Sequence, residues 1–253
     1  MEPVPHEDDE SSKRRRETPG DEVALADVFA RAFGQRKEAE VPAALCQACV
    51  DLLDVSGASI SLHGDGDARA LWWSSDPVAG QLAEAQYTLG DGPCQVAMAM
   101  TSSVLAADLT SGPDARRWPV FAQQAVELGV RAVFSLPLGA GGIAIGTLDL
   151  YRDVPGPLSE KDQSIAFPAA EAITTALLTL SEGRAVPLPD DSWLSTAESD
   201  HEEVHVATGM IMVHLGVDPQ QALARLRAHA FAQGRTVTEA ALDVIDGRIR
   251  FHE

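Results

Sequence analysis

Three cysteines carry the most reactive side chains of this chain of 253 residues. Cys94 stands at the predicted start of a short helix, where oriented backbone N–H groups can lower the pKa of a thiol. A redox sensor or a nucleophile would use such a position, and a buried structural thiol is the alternative. Cys46 and Cys49 have C-x-x-C spacing, but Cys49 lies on an apolar helical stripe and Cys46 beside it, which favours helix packing. An odd cysteine count without a secretion signal argues against a disulfide framework.

Cys94 and three aromatic side chains form a candidate ligand-binding set. Trp73, Tyr87 and Phe134 could line a ligand cavity under the predicted sheet, with Cys94 close to them. Ordinary core packing is the alternative, because aromatic residues of a half-buried sheet are commonly buried for their area alone. The sequence indicates no particular cofactor.

No enzymatic or metal-binding constellation stands out. His201 and His205 are four residues apart but lack a third ligand nearby, and we expect both to be exposed to solvent. Gly139–Gly142 separates two predicted strands and therefore predicts a turn, not a phosphate-binding loop. There is no nucleophile elbow and no recognisable carboxylate pair. The sequence therefore predicts no metal site and a protein that is not an enzyme.

The arginines near the end of the sequence point to a different chemistry. From residue 204 onward, five arginines (225, 227, 235, 248 and 250) accompany five acids, and no lysine is present. Arginine can fork onto phosphate oxygens or stack on an unpaired base, which makes Arg227 and Arg235 candidates for RNA contact. Ion pairs with neighbouring acids are the alternative. A net charge of -19 opposes non-specific binding to nucleic acid.

The elements that position these residues fall into two groups. After a polar tail at 1–20, which we expect to be disordered, residues 21–182 predict helices at 23–34 and 41–53, then strands and helices in mixed order. The last two strands are joined by the Gly139–Gly142 turn and are followed by a long helix that Ser159 caps. This order predicts an α+β domain with an antiparallel sheet and flanking helices.

A break at residues 183–192, with two prolines and a glycine, predicts a linker between domains. Residues 193–253 then predict three amphipathic helices with short connections, which is typical of a small helical bundle. Gly216 is predicted to end the first helix and Asp218 to cap the second. Thr236 or Thr238 is predicted to begin the third.

Both predicted domains resemble known families. Residues 89–94 (LGDGPC) and 146–151 (GTLDLY), together with the element order, make residues 23–182 similar to a GAF sensor domain. The C-terminal segment resembles an ANTAR domain in residues spread over three helices, namely Ala207-Thr208-Gly209-Met210-Ile211-Met212, Ala222-Leu223, Leu226-Arg227, Arg235, Val237 and Ala241.

The second resemblance implies a domain that binds paired RNA stem-loops as a dimer and prevents transcription termination, under control of the sensor domain. It implies that Thr208, Gly209, Arg227 and Arg235 contact RNA, although the family's lysine is replaced by Thr208. Gly209 costs a helix about 1 kcal/mol relative to alanine, so it suggests either a close helix crossing or a close approach of RNA.

The expected function is therefore a signal-responsive transcription antitermination regulator in the cytoplasm, without a membrane or DNA partner. We expect a homodimer that responds to an unidentified small molecule or redox signal. A sensor whose helical module only dimerises or docks on another protein is one alternative. A Cys94-dependent reductase of the GAF type is another.

Overall fold

The computed structural model of the chain describes residues 40–63, 69–182 and 201–251. The predicted helix at 23–34, the polar tail at 1–20 and the linker at 183–192 lie outside these residues. The elements in chain order are α1 (Val41–Leu52), β1 (Gly57–His63), β2 (Arg69–Ser74), α2 (Pro77–Leu89), α3 (Pro93–Met100), β3 (Val104–Ala106), α4 (Gly112–Arg117), α5 (Pro119–Glu127), β4 (Ala132–Ala140), β5 (Ile143–Arg152), α6 (Glu160–Glu182), α7 (Glu202–Leu215), α8 (Pro219–Ala232) and α9 (Val237–Ile245).

The five strands of the described residues form one antiparallel sheet in the order β2-β1-β5-β4-β3. The β4–β5 hairpin turns at Gly141 and Gly142, whose φ angles of 63° and 83° lie in the left-handed region that such a tight turn requires. Strand β4 reaches two residues further into the glycine segment than the sequence predicts, whereas β5 begins at the predicted Ile143. Helices flank this sheet, so the predicted α+β class is confirmed.

Side-chain alternation gives the central strands two different faces. On one face, Ile60 and Leu136 are each in register with Leu148, and all three are almost completely buried. This apolar face packs against α1 and α6. Burial of each such side chain stabilises the fold by about 1.5–3 kcal/mol.

The opposite face of the sheet is polar at its centre, and α2 and α3 cover it. The side chains on it belong to β1, β4 and β5, and all are buried: Ser59, Ser61, Ser135, Thr147 and Asp149. Polar groups can occupy this depth only when they are hydrogen-bonded or meet a polar ligand.

Helix α2 is capped at both of its ends. The Oδ1 atom of Asp76 accepts the N–H groups of Val78 and Ala79 at 2.8 and 3.0 Å. The same oxygen accepts the Tyr151 hydroxyl at 3.0 Å, which fixes the start of the helix to strand β5. Gly90 ends the helix with a left-handed φ of 63°.

Helices α7, α8 and α9 form the predicted three-helix bundle. Gly216 ends α7, Asp218 caps α8, and Thr236 begins α9 in a capping box with Glu239. The buried core of the bundle consists of Val204, Ala207, Ile211, Ala222, Leu223, Leu226, Ala230, Val237, Ala240, Ala241 and Val244, and one residue of α2, Tyr87, joins it.

Two local predictions differ from the structure. The short helix α4 was not predicted, because its six residues bury no side chain and show no apolar period. Cys46 was predicted to lie off the apolar stripe of α1, yet it is completely buried together with Cys49. Cys46 faces strand β2, with its Sγ 4.0 Å from the carbonyl oxygen of Trp73, so the sheet covers more of α1 than the helical period indicates. None of the described helices is long and apolar enough to cross a membrane.

Candidate nucleic-acid interface and sensor face

Helix α7 carries two of the residues predicted to contact RNA. Thr208 is buried, and its hydroxyl donates a 2.6 Å hydrogen bond to the carbonyl of Val204 on the same helix. At Gly209, a Cβ would meet no atom within 4 Å beyond its own helix backbone and chain neighbours. The helix crossing that Gly209 suggests is therefore not formed within the described part of this chain.

Around Gly209, α7 presents an apolar stripe that is exposed at both ends and partly covered by the bundle core at Met210. Val206, Met210 and Val213 follow the i, i+4, i+7 spacing of one helix face. Val206 is 46% exposed and Val213 is 87% exposed. A second protein chain or an RNA surface would find both the glycine and this stripe accessible.

Arg235, the third predicted RNA contact, is engaged by acids of its own domain. It forms ion pairs with Asp243 and with Glu239, the latter at 3.6 Å, and it donates to the Glu239 carbonyl at 3.2 Å. The hydrogen bond from Arg235 holds the pKa of the Asp243 carboxyl below its usual range. Arg248 pairs with the same Asp243 at 2.8 Å. Two arginines of the bundle are thus neutralised by one carboxylate and its neighbours.

Arg227, the fourth predicted RNA contact, lies against the sensor domain. Its guanidinium carbon is 5.3 Å from the ring centroid of Tyr87 on α2, within the range of a cation–π contact. A Cβ at Gly90 would come 2.8 Å from Arg227 Nη1, so the glycine also allows this close approach. The predicted RNA contact is half-buried in an interface between the two domains.

His201 contributes to the same interface, although the sequence predicts it to be exposed. It is only 6% exposed, and its ring stacks on Tyr87 with centroids 3.9 Å apart and an interplanar angle of 26°. Its Nδ1 lies 3.1 Å from Thr238 Oγ1, and its Nε2 lies 3.6 Å from Glu84 Oε2. The prediction was wrong because the other domain covers the start of α7.

Further hydrogen bonds join α2 to the start of α9. The N–H of Val237 donates to Thr88 Oγ1 at 3.0 Å, and Thr238 Oγ1 donates to Glu84 Oε1 at 3.3 Å. Glu84, Thr88 and Thr238 were not predicted to be interface residues. The sequence indicates this interface only weakly, through the polar residues on the side of α2 that does not pack on the sheet.

The interface also encloses a cleft. A space of about 500 Å³ separates α2 and α5 from the turn between α8 and α9, and Gln124, Glu127, Phe231 and Arg235 are among its lining residues. Phe231 is 51% exposed there. The volume is that of an ordinary small-molecule site, and such sites occur often between domains.

A buried carboxylate lies at the centre of the polar sheet face. Asp149 is 7% exposed and accepts hydrogen bonds from Ser135 Oγ and from Thr147 Oγ1, the latter at 3.1 Å. Ser59 lies opposite Asp149 on β1. Burying a carboxylate is costly, which makes Asp149 a candidate for signal binding that sequence analysis missed. The polar alternation Ser59-x-Ser61 and Thr147-x-Asp149 was the signal for it.

The four residues predicted to bind a ligand do not surround one cavity. Phe134 is buried on the apolar face against α1 and α6. Tyr87 joins the bundle core, Trp73 is 42% exposed on β2, and Cys94 is buried at the second position of α3. These residues lie in separate environments because alternate residues of a strand, and different sides of a helix, face different layers.

The cysteines are free thiols in the structure. Burial raises the pKa of the Cys46 thiol well above its ordinary value and that of Cys49 to about 12, so both are protonated at neutral pH. The Cys94 N–H donates to Gln86 Oε1 at 2.8 Å. Cys46 and Cys49 lie under the apolar sheet face, whereas α3 with Cys94 covers the polar face. No group of three or more candidate metal ligands occurs among the described residues.

Family comparisons match both halves of the chain. The model of a GAF domain matches residues 35–178, and the model of an ANTAR domain matches residues 194–245. No curated protein matches the chain at a significant level.

Solved structures resemble the first domain. The GAF domain of a phosphoenolpyruvate-protein phosphotransferase from Coxiella burnetii is 12% identical with a TM-score of 0.51, covering 65% of this chain and 97% of that one. The corresponding Acinetobacter domain is 12% identical with a TM-score of 0.51, covering 68% and 100%. A free methionine-R-sulfoxide reductase from Neisseria meningitidis is 16% identical with a TM-score of 0.49, covering 65% and 94%. At these identities the first two show a common fold alone.

Proposed function

Because the chain belongs to the GAF domain family and carries an ANTAR domain after its GAF domain, we propose that it is a sensor-controlled regulator. In this proposal the three-helix bundle binds RNA stem-loops and thereby prevents transcription termination. One observation carries the sensor control. The ANTAR helices pack directly on α2, the helix that also covers the polar sheet face with the buried Asp149. A ligand that moves α2 would change the surroundings of Arg227.

Of the four predicted residues, we assign RNA contact to Arg227 with Arg235 in a supporting position, and we assign Gly209, beside the buried Thr208, to a contact between two copies of α7. The exposed stripe of α7 suits a homodimer, because Gly209 allows two helices to approach closely without a side chain between them. Two bundles side by side would address two adjacent stem-loops.

A binding assay with the full chain tests this proposal. The probe is a fluorescent RNA with two adjacent small hairpin loops, and the control is the same RNA with one hairpin deleted. Counterion release predicts that the affinity falls roughly 20-fold between about 50 and 200 mM salt if three phosphates are contacted. Arg227→Ala should weaken binding. Absence of binding at low salt by the wild type and by variants with weakened domain contacts would contradict the proposal.

A second candidate function is a sensor whose bundle serves only dimerisation or docking on a protein. The engagement of Arg235 and Arg248 by Asp243 favours it, because paired arginines give less attraction for phosphate. A dimer that persists in sedimentation while no RNA binds at low salt would support this function.

The domain content is that of a non-enzymatic regulator. The reductase alternative requires Cys94 as a nucleophile and a second thiol near it, and the structure places Cys46 and Cys49 beneath the other face of the sheet. Reduction of free methionine sulfoxide by the wild type but not by Cys94→Ser would be needed to revive it.

A further inference from the structure

The contact between α2 and the bundle has an unusual composition for a packing interface. Tyr87 is 1% exposed and belongs to the apolar core of the bundle, not to that of its own domain. Its ring is stacked on the imidazole of His201 at 3.9 Å, and the guanidinium of Arg227 lies 5.3 Å from the same ring. One aromatic ring of the sensor is therefore in contact with two planar nitrogen-bearing groups of the bundle.

Imidazole and guanidinium planes are the groups on which proteins stack unpaired RNA bases. Bases of single-stranded loops are splayed out and placed against aromatic, histidine or arginine planes. The phenol ring of Tyr87 is a flat six-membered ring like a pyrimidine base. The bundle thus holds a protein ring in a setting that suits a nucleobase.

An anion accompanies the ring, as it would in a nucleotide. Glu84 lies one turn before Tyr87 on α2, with Oε2 3.6 Å from His201 Nε2 and Oε1 accepting from Thr238 Oγ1 at 3.3 Å. Carboxylate and phosphate oxygens recruit the same donors, namely hydroxyl, ring N–H and guanidinium groups. Glu84 and Tyr87 together present the charge and the ring of a nucleotide from one helix.

We propose that the bundle surface formed by His201, Arg227 and Thr238 is the binding site for one unpaired nucleotide of an RNA loop, and that α2 occupies this site in the present structure. Tyr87 takes the place of the base and Glu84 that of the phosphate. The inference rests on the proposed RNA-binding function and names the ligand and the competitor of that site. Docking of α2 and binding of RNA exclude each other.

Competition of this kind converts a sensor movement into an RNA-binding response. The apparent affinity for RNA equals the intrinsic affinity multiplied by the fraction of molecules in which the site is open. The start of α2 is tied to strand β5 of the sheet through Asp76 and Tyr151, and α2 covers the polar sheet face, so a ligand bound on that face can displace the helix. Release of α2 uncovers Arg227 and His201 in the same step.

The test uses full-length variants that weaken docking without altering the bundle surface. Thr88→Val removes the acceptor of the Val237 N–H, and Glu84→Gln removes the competing charge. Each should bind the two-hairpin RNA at least five-fold more tightly than the wild type. Tyr87→Phe keeps the ring and should leave the affinity unchanged, and Tyr87→Leu should raise it. The matched control is Glu127→Gln, which removes a charge from the same cleft on α5.

The second arm locates the site. In the Thr88→Val background, His201→Ala or Arg227→Ala should abolish the gain in affinity. A 2-aminopurine placed in the RNA loop should be quenched on binding to Thr88→Val, and His201→Ala should restore its fluorescence. Urea unfolding of every variant identifies those that have lost the bundle fold, and only folded variants are compared.

The outcomes separate the nucleotide site, the competition with α2 and the RNA-binding function. A gain in Thr88→Val and Glu84→Gln that disappears with His201→Ala or Arg227→Ala supports the nucleotide site. Equal RNA affinity of the wild type and the docking variants overturns the competition while the RNA-binding function stands. A gain that survives both bundle substitutions places the RNA elsewhere and overturns the inference. No RNA binding by any folded variant overturns the inference and the proposed function together.

Discussion

Neighbouring arginines of α8 are used in opposite ways. Arg225 and Arg227 are two residues apart, which corresponds to about 200° around a helix, so their side chains leave the bundle on nearly opposite sides. Arg227 is half-buried against α2, whereas Arg225 is exposed. Arg225 and Arg250 form no ion pair with a described residue, in contrast to Arg235. If the bundle binds RNA as proposed, Arg225 and Arg250 are the arginines most open to a first phosphate contact.

Arg225→Ala should reduce the affinity for the two-hairpin RNA more than Arg235→Ala does. Loss of one phosphate contact also lowers the slope of log affinity against log salt by about one. Fluorescence anisotropy at four salt concentrations measures both quantities. If Arg235→Ala has the larger effect, then its pairing with Asp243 does not withdraw it from RNA.

Sequence patterns identify which residues can take part but not their partners. Pairing of Arg235 with nearby acids was foreseeable, since Glu239 is only four residues further along the sequence, in the first turn of α9. The contacts of Arg227 and His201 with Tyr87 join positions more than a hundred residues apart in sequence. No local period contains that information. The exposure expected for His201 was wrong for this reason, and the predicted ligand set of Trp73, Tyr87, Cys94 and Phe134 stays without structural support as a group.

At the scale of elements, the local signals predict helix ends reliably. Asp76, Asp218 and Thr236 each accept a backbone N–H of the helix that they precede, and Gly90 and Gly216 end helices in the left-handed region. These signals act within four residues, so they are visible in sequence. The layer that each helix face contacts is set by the tertiary fold and is not visible.

Helix α7 allows a direct test of its exposed stripe. Gly209→Ala should stabilise the monomer by about 0.5–1 kcal/mol, because the added methyl meets open space and alanine favours the helix. The same methyl should weaken the homodimer if two α7 helices cross at Gly209. Urea unfolding and sedimentation measure the two effects. A more stable chain with unchanged dimerisation would exclude this crossing. The neighbouring Ala207→Gly cannot serve as a control, because Ala207 is buried in the bundle core.

The start of α6 gives a pH-dependent contribution to stability. Burial tends to raise the pKa of Asp162, but hydrogen bonds from Ser159 Oγ and the Asp54 N–H, with the charge of Arg152, outweigh it and hold the pKa below its usual range. A carboxyl whose pKa is lowered by folding stabilises the fold above its unfolded pKa of about 3.9 and loses this contribution as pH falls.

Asp162→Asn should therefore lower the free energy of unfolding at pH 7 and flatten its decline below about pH 4. Urea unfolding at pH 7, 5, 4 and 3 measures both changes. Asp51→Asn, on an exposed position of α1, is the control and should reproduce the wild-type curve. Parallel curves for Asp162→Asn and the wild type would show that Asp162 titrates alike in the folded and unfolded chain.

For the whole molecule, the domain contact and the charge act in the same direction. The chain carries a net charge of -19, and α2 adds Glu84 to the bundle surface where RNA is proposed to bind. Long-range repulsion would slow the approach of RNA, and under the proposed competition the docked helix would block its site. Both effects would lower the binding of non-specific transcripts while α2 is docked.

The shared residue Tyr87 should also couple the unfolding of the two domains. We expect the wild type to unfold in a single urea transition, and Tyr87→Ala to unfold in two, because a void in the bundle core costs about 3–5 kcal/mol. Tryptophan fluorescence follows the sensor domain through Trp72 and Trp118, with Trp193 replaced by Phe, and far-UV circular dichroism follows all helices. Coincident transitions in Tyr87→Ala would show that other contacts maintain the coupling.

The placement of Tyr87 has a consequence for recombination of such modules. A chimera that joins this bundle to a foreign sensor at residues 183–192 would leave behind the phenol ring that fills the bundle's core. The transplanted bundle would lack one side chain of its core, and no helix would cover its proposed RNA site. Grafting would succeed only if the recipient supplies an aromatic residue at the equivalent turn of its own helix, so the functional unit of exchange includes α2.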